Sequence, residues 1–176
     1  FCDMSPVPTA TQFRDSTRFY AFALWAEAIP CVPGAGPDVS GVLGQLALPG
    51  EPRLLAAYAL SYLGGLSSDQ WKELADCALA EPLESAACPY LYSAAYQLYP
   101  SSGAPYARMF RSIGGRLHAM AASGNIAWQK EYCRVKAVHS THADTALLTL
   151  LSGHSNDPDI QAAASYARIR FENRIN

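Results

Sequence analysis

The stretch DPDIQAAASYARIRF at positions 157–171 decides how the rest of the chain is read. Asp157 is a good N-cap, and Pro158 carries the fixed φ that suits a first helical position. Ile160, Ala164, Ala167 and Phe171 then recur at helical spacing and share one face. The same grammar runs upstream: a cap or proline, a segment of helix-compatible residues, then a glycine or proline stop. Pro52 opens an apolar segment over 54–63. Ser67 followed by Gln70 has capping-box spacing and starts a helix through Trp71, Leu74 and Leu79 that stops before Pro82.

Pro89 suits the first turn of a helix carrying Tyr92, Tyr96 and Tyr99, and Pro105 does the same for 106–122, closed by Gly124. Further helices are expected over 126–138 and over 143–151, with Gly153 as the stop. A short helix over 39–48 is weakened by Gly41 and Gly44, at roughly 1 kcal/mol each. A long one over 11–29 ends at Pro30, Pro33, Gly34, Gly36 and Pro37. From Phe19 onward that first helix is apolar nearly all round, as is the segment after Pro52, which points to burial on several sides or to an interface between subunits.

No run alternates apolar and polar residues long enough for a strand, and no Asn-Gly or Asp-Gly hairpin turn occurs. The expectation is an all-α chain, a single-domain bundle or orthogonal array of about eight or nine short to medium helices. One helical domain over 1–176 is expected, with 1–10 an extended N-terminal arm.

Half the residues are hydrophobic and 16% are charged, which excludes a disordered chain. No apolar run reaches the roughly 18–20 residues of a membrane-spanning helix, since 19–29 contains Glu27 and stops at Pro30. The five cysteines are widely spaced, odd in number and never C-x-x-C, so free thiols in a reducing intracellular compartment or a virion are expected. The chain opens on Phe1, which reads as a processed or trimmed product.

Charge is divided along the chain. Residues 1–100 hold four basic and ten acidic side chains, and residues 101–176 hold nine basic and five acidic ones. Such a split suits head-to-tail association, or a basic surface aimed at an anionic partner. On the helix over 106–122, Arg108, Arg111, Gly115 and His118 fall within about 80° of one another, with Arg116 at their border. Two arginines one turn apart can grip a phosphodiester, and a glycine between cations lets a phosphate approach closely. Lys130, Arg134, Lys136, Arg168, Arg170 and Arg174 add cations in the same half, with Trp128, Tyr132 and Tyr166 among them. Cations interleaved with aromatic rings suit single-stranded nucleic acid. A solvated polar face is the plainer alternative, with Gly114-Gly115 serving helix packing.

Enzymatic chemistry has two footholds. His139 and His142 lie about 60° apart on a helix and can share a metal, but Asp144 falls about 200° from His142, so a third ligand has to come from His118, His154 or Glu131. Otherwise Ser140 or Thr141 simply caps the following helix. Cys133, near Lys130, Arg134 and Lys136, has surroundings that favour a thiolate nucleophile, but no cysteine-protease signature surrounds it and a buried, inert thiol is the favoured reading. No H-E-x-x-H, G-x-S-x-G, P-loop or dinucleotide fingerprint occurs.

These features favour a non-enzymatic, self-associating helical protein, coat- or nucleoprotein-like. It would bind single-stranded nucleic acid through its basic C-terminal half, with no cofactor. The alternatives are an enzyme for a small anionic substrate, using the histidine pair or Cys133, and a helical adaptor or effector domain.

Overall fold

The computed structural model describes residues 39–61, 66–100 and 104–175. The arm expected over 1–10, the helix over 11–29, Glu27, Cys2 and Cys31 lie outside the described residues. The chain is all-α. Its helices are α1 (Val39–Gln45), α2 (Glu51–Leu60), α3 (Ser68–Ala80), α4 (Cys88–Gln97), α5 (Ala107–Ala122), α6 (Ile126–His139), α7 (Thr145–His154) and α8 (Pro158–Ile175), with no strand among the described residues. No described helix is long and apolar enough to cross a membrane. Two compact units divide the chain at Ile113/Gly114, within α5.

In the first unit α1 packs on α2 and α3, and α4 packs on α2 and α3. Ser67 and Gln70 form the expected capping box at the start of α3. Trp71, one turn into α3, is fully buried. Its indole Nε1 donates to the Ala95 carbonyl at 2.7 Å, satisfying one of the last carbonyls of α4, which have no partner inside their own helix. Tyr99 meets the Trp71 ring edge-on at 5.0 Å and stacks on Phe110 at 4.2 Å, so the tyrosine-rich middle of the chain forms an aromatic layer around Trp71. Arg53 clamps the other end: its Nε donates to the Leu46 carbonyl at 2.7 Å, and Nη1 pairs with Glu81 at 2.9 Å.

In the second unit α8 packs against both α6 and α7. Asp157 caps α8 through the amides of Asp159 and Ile160, and Ile160, Ala164, Ala167 and Phe171 are all buried, as their spacing requires. Side-chain donors again close helix ends. Gln129 Nε2 donates to Ala121 O at the end of α5, and Arg174 donates to Val138 O at the end of α6.

Of three glycine-marked boundaries, two differ from expectation for local reasons and the one at Gly124 is as expected. The helix expected over 39–48 ends at Gln45, and the next three residues tighten into amide bonds reaching only three residues back. Gly124 closes α5 in the left-handed region, at φ 90°. Gly153 is not a stop: its φ is not positive, and α7 runs on to His154. Cys77, Cys88 and Cys133 are free thiols.

Replacing Trp71 by Phe keeps the ring but deserts the buried Ala95 carbonyl. A loss of about 1–3 kcal/mol is expected in urea unfolding followed by far-UV circular dichroism.

Candidate nucleic-acid interface

Helix α5 reads ARMFRSIGGRLHAMAA and contains no aspartate or glutamate. Ile113, Leu117 and Ala121 form its buried stripe. On the opposite side Arg108, Arg111, Gly115 and Arg116 are exposed, and His118 is half-buried at the margin. No salt bridge joins Arg108 or Arg111 to a carboxylate among the described residues. Arg108 also sits in the first turn, where the helix dipole disfavours a cation. Helix stability therefore gives no reason for this charge. A Cβ built on Gly115 meets nothing within 4 Å, so close packing against the described residues does not require a glycine at this position.

His118 is held from beneath by a polar network. Its Nδ1 lies 3.1 Å from the Tyr132 hydroxyl, which donates to Asp144 Oδ1 at 2.9 Å. With the hydroxyl proton directed to Asp144, the Tyr132 oxygen is left to accept from His118 Nδ1–H. Lys136 Nζ reaches the same Asp144 oxygen at 3.0 Å, and both side chains are almost completely buried. Asp144 Oδ2 accepts from the Thr141 amide at 2.8 Å and from the Thr141 hydroxyl at 2.9 Å. Burial works to raise the Asp144 pKa. The Thr141 amide, the charge of Lys136 and the Lys136 and Tyr132 hydrogen bonds outweigh it, and the carboxyl is held below its ordinary value.

This network corrects the expectation for Lys136, which is a buried partner of Asp144 and not a surface cation. The remaining candidates are placed as follows. Lys130 lies 3.3 Å from Asp157 and 3.9 Å from Asp159, Arg134 lies 2.6 Å from Glu131, and Arg168 Nε lies 3.6 Å from Glu172. Every aspartate and glutamate of residues 114–176 thus faces a cation of its own unit. Arg170 lies over the exposed Tyr166 ring, 5.8 Å from its centroid. Lys130, Arg134 and Tyr166 come together around an open hollow between α6 and α8.

The enzymatic footholds fare differently. Burial pushes the Cys133 thiol up to about 12, which agrees with the buried, inert thiol favoured on sequence grounds over the activated thiolate that its charged neighbours would suggest. Those neighbours are paired with Asp157, Glu131 and Asp144. His142 packs edge-on against Phe171 at 5.0 Å. The His139 pKa is lowered by burial and by the charges of Lys136 and Arg174, which also oppose a bound cation. Among the described residues no three histidine, cysteine, aspartate or glutamate side chains are grouped to hold a metal. Thr141 instead forms a capping box with Asp144 at the turn His142–Asp144 leading into α7. The roles of Tyr132 and Asp144 were missed by sequence reasoning, although the Thr-x-x-Asp spacing at 141–144 was the available signal. No family model matches the chain, and neither a curated protein nor a solved structure matches it.

Substituting Asp144 by Asn strands the buried Lys136 ammonium, with an expected loss of about 3–5 kcal/mol at neutral pH. Because the folded Asp144 pKa lies below the ordinary 3.8, its stabilisation is complete above that value and is lost as pH falls through the lower folded one. The gap between wild type and Asp144→Asn therefore narrows below about pH 4, which urea midpoints across pH will check.

Proposed function

We propose that this chain is a non-catalytic helical assembly protein, coat- or nucleoprotein-like, whose copies self-associate and whose α5 face binds the phosphates of single-stranded nucleic acid. The observation that carries the reading is the exposed row Arg108, Arg111 and Gly115 on a helix without a carboxylate. Arginines one turn apart match the reach of a phosphodiester, and the bare backbone at Gly115 admits a phosphate oxygen where any other side chain would stand.

Two features support self-association. Ile126, Val138, Leu150, Tyr166, Ile169 and Ile175 are each at least half exposed, a concentration of apolar surface in the second unit. In the first unit Asp69, Glu73 and Glu84 are exposed and form no salt bridge among the described residues, so an anionic surface is available to a neighbouring copy's arginines.

Fluorescence anisotropy with a labelled single-stranded oligonucleotide across a salt series tests the nucleic-acid part. Arg108→Ala with Arg111→Ala should reduce the slope of log affinity against log salt by about 1.4, since each arginine that no longer neutralises a phosphate takes away about 0.7. Gly115→Ala should stabilise the fold by roughly 0.5–1 kcal/mol while weakening binding, a combination a merely solvated face would not produce. Light scattering at low salt should show concentration-dependent association. A protein that stays monomeric and shows no salt-dependent binding would falsify the reading.

A further inference from the structure

We propose that α5 is jointed: it opens at Gly114–Gly115 while each compact unit keeps its own fold, so the chain yields at the division between them. The inference stands apart from the nucleic-acid reading and needs no ligand. The division falls at Ile113/Gly114, and the two adjacent glycines lie at that point, in the middle of a helix of 16 residues.

No backbone requirement explains the pair. Glycine is needed where φ is positive, and among the described residues only Gly50 and Gly124 have that conformation. Packing does not demand it at 115 either, where an added Cβ meets nothing within 4 Å. The effect that remains is a weakened helix: each interior glycine shifts the balance towards open backbone about fivefold relative to alanine. Paired glycines are also among the few recognised causes of a sharp bend.

The rest of α5 does little to offset this. In a continuous helix the amides of residues 114–117 bond to the carbonyls of 110–113, and those bonds alone carry the backbone across the division. Side chains four residues apart reinforce a helix, but the partners of Phe110 and Arg111 at that spacing are Gly114 and Gly115, which have none to offer. With no aspartate or glutamate in α5, no ion pair within the helix spans the joint. Ile113 and Leu117 are buried on the core side, whereas Gly115 leaves the solvent side bare. Water competes for the backbone there, where helix bonds lengthen first. By contrast α8, of 18 residues, contains no glycine.

The test is native-state digestion of the full chain by trypsin, with the initial cuts located by mass spectrometry. A protease cleaves a helix only after it unwinds locally, and where opening and closing are fast the rate follows the open population. Arg111 and Arg116 are exposed on either side of the pair. Arg53, held by the Leu46 carbonyl and Glu81, reports on the first unit, and Arg168 in α8 on the second. Cuts at Arg111 and Arg116 should run about tenfold or more ahead of those at Arg53 and Arg168, given about fivefold for each glycine. Gly115→Ala should slow them about fivefold. Urea well below the unfolding transition should hardly change them yet speed the cuts at Arg53 and Arg168, because local opening exposes little surface and global opening much. Equal rates at the four sites, a parallel response to urea, or wild-type rates at Arg111 and Arg116 in Gly115→Ala each overturn the inference, and none of them bears on the nucleic-acid reading.

Discussion

The second unit is organised around the buried carboxylate of Asp144. Asp144 accepts from the Lys136 ammonium, the Tyr132 hydroxyl, and both the amide and the hydroxyl of Thr141. These partners come from α6 and from the turn that follows it, and Tyr132 carries the connection onward to His118 on α5. A buried ion pair has to overcome the desolvation of both charges, and it does so only where the remaining hydrogen-bonding capacity is satisfied. Here Asp144 meets that condition through four donors. The network therefore specifies how the end of α6 joins the start of α7, a geometry that apolar packing alone leaves loose.

That arrangement also sorts the positive charges of the C-terminal half. Lys136 is drawn inside and Arg134 pairs with the buried Glu131, while Lys130 and Arg168 face carboxylates nearer the surface. Arg174 fastens the C-terminus of α6 by donating to Val138 O and Ser140 Oγ. Exposed pairs of this kind add little stability, but they hold side chains in fixed directions and lower the local field. The surface charge left without a salt-bridge partner among the described residues includes Arg108 and Arg111, on a helix where the dipole gives them no support. Of the nine basic side chains of residues 101–176, four face carboxylates, while Arg108 and Arg111 stand exposed on one face of α5.

How much of this was legible in the sequence depended on whether the signal was local. The α8 cap, its buried face and the Ser67–Gln70 capping box depend on residues within a few positions of one another, and each was read correctly. The α5 polar face was equally plain, because helical periodicity alone places Arg108, Arg111 and Gly115 together. Helix α6 resisted reading because its interior includes Glu131 and Lys136 beside Trp128, Tyr132 and Val135, so charge no longer marks the solvent side. At Cys133 the cations nearby in sequence are engaged with carboxylates, and burial rather than their charge governs the thiol, as the absence of any cysteine-protease signature suggested. The ends of α1 and α7 were displaced because a glycine in a helix is a weakness rather than an instruction to stop.

The burial of Cys133 has a consequence for how the second unit moves. Its thiol is inaccessible and ionises only near 12, so in the closed state it is protonated at neutral pH and shielded from electrophiles. Reaction at this buried sulfur requires the packing around it to loosen locally, which makes its labelling rate a clock for local opening. Cys77, only half-buried on α3, offers a second clock in the other unit, and the two rates together distinguish breathing of one unit from loosening of the whole chain.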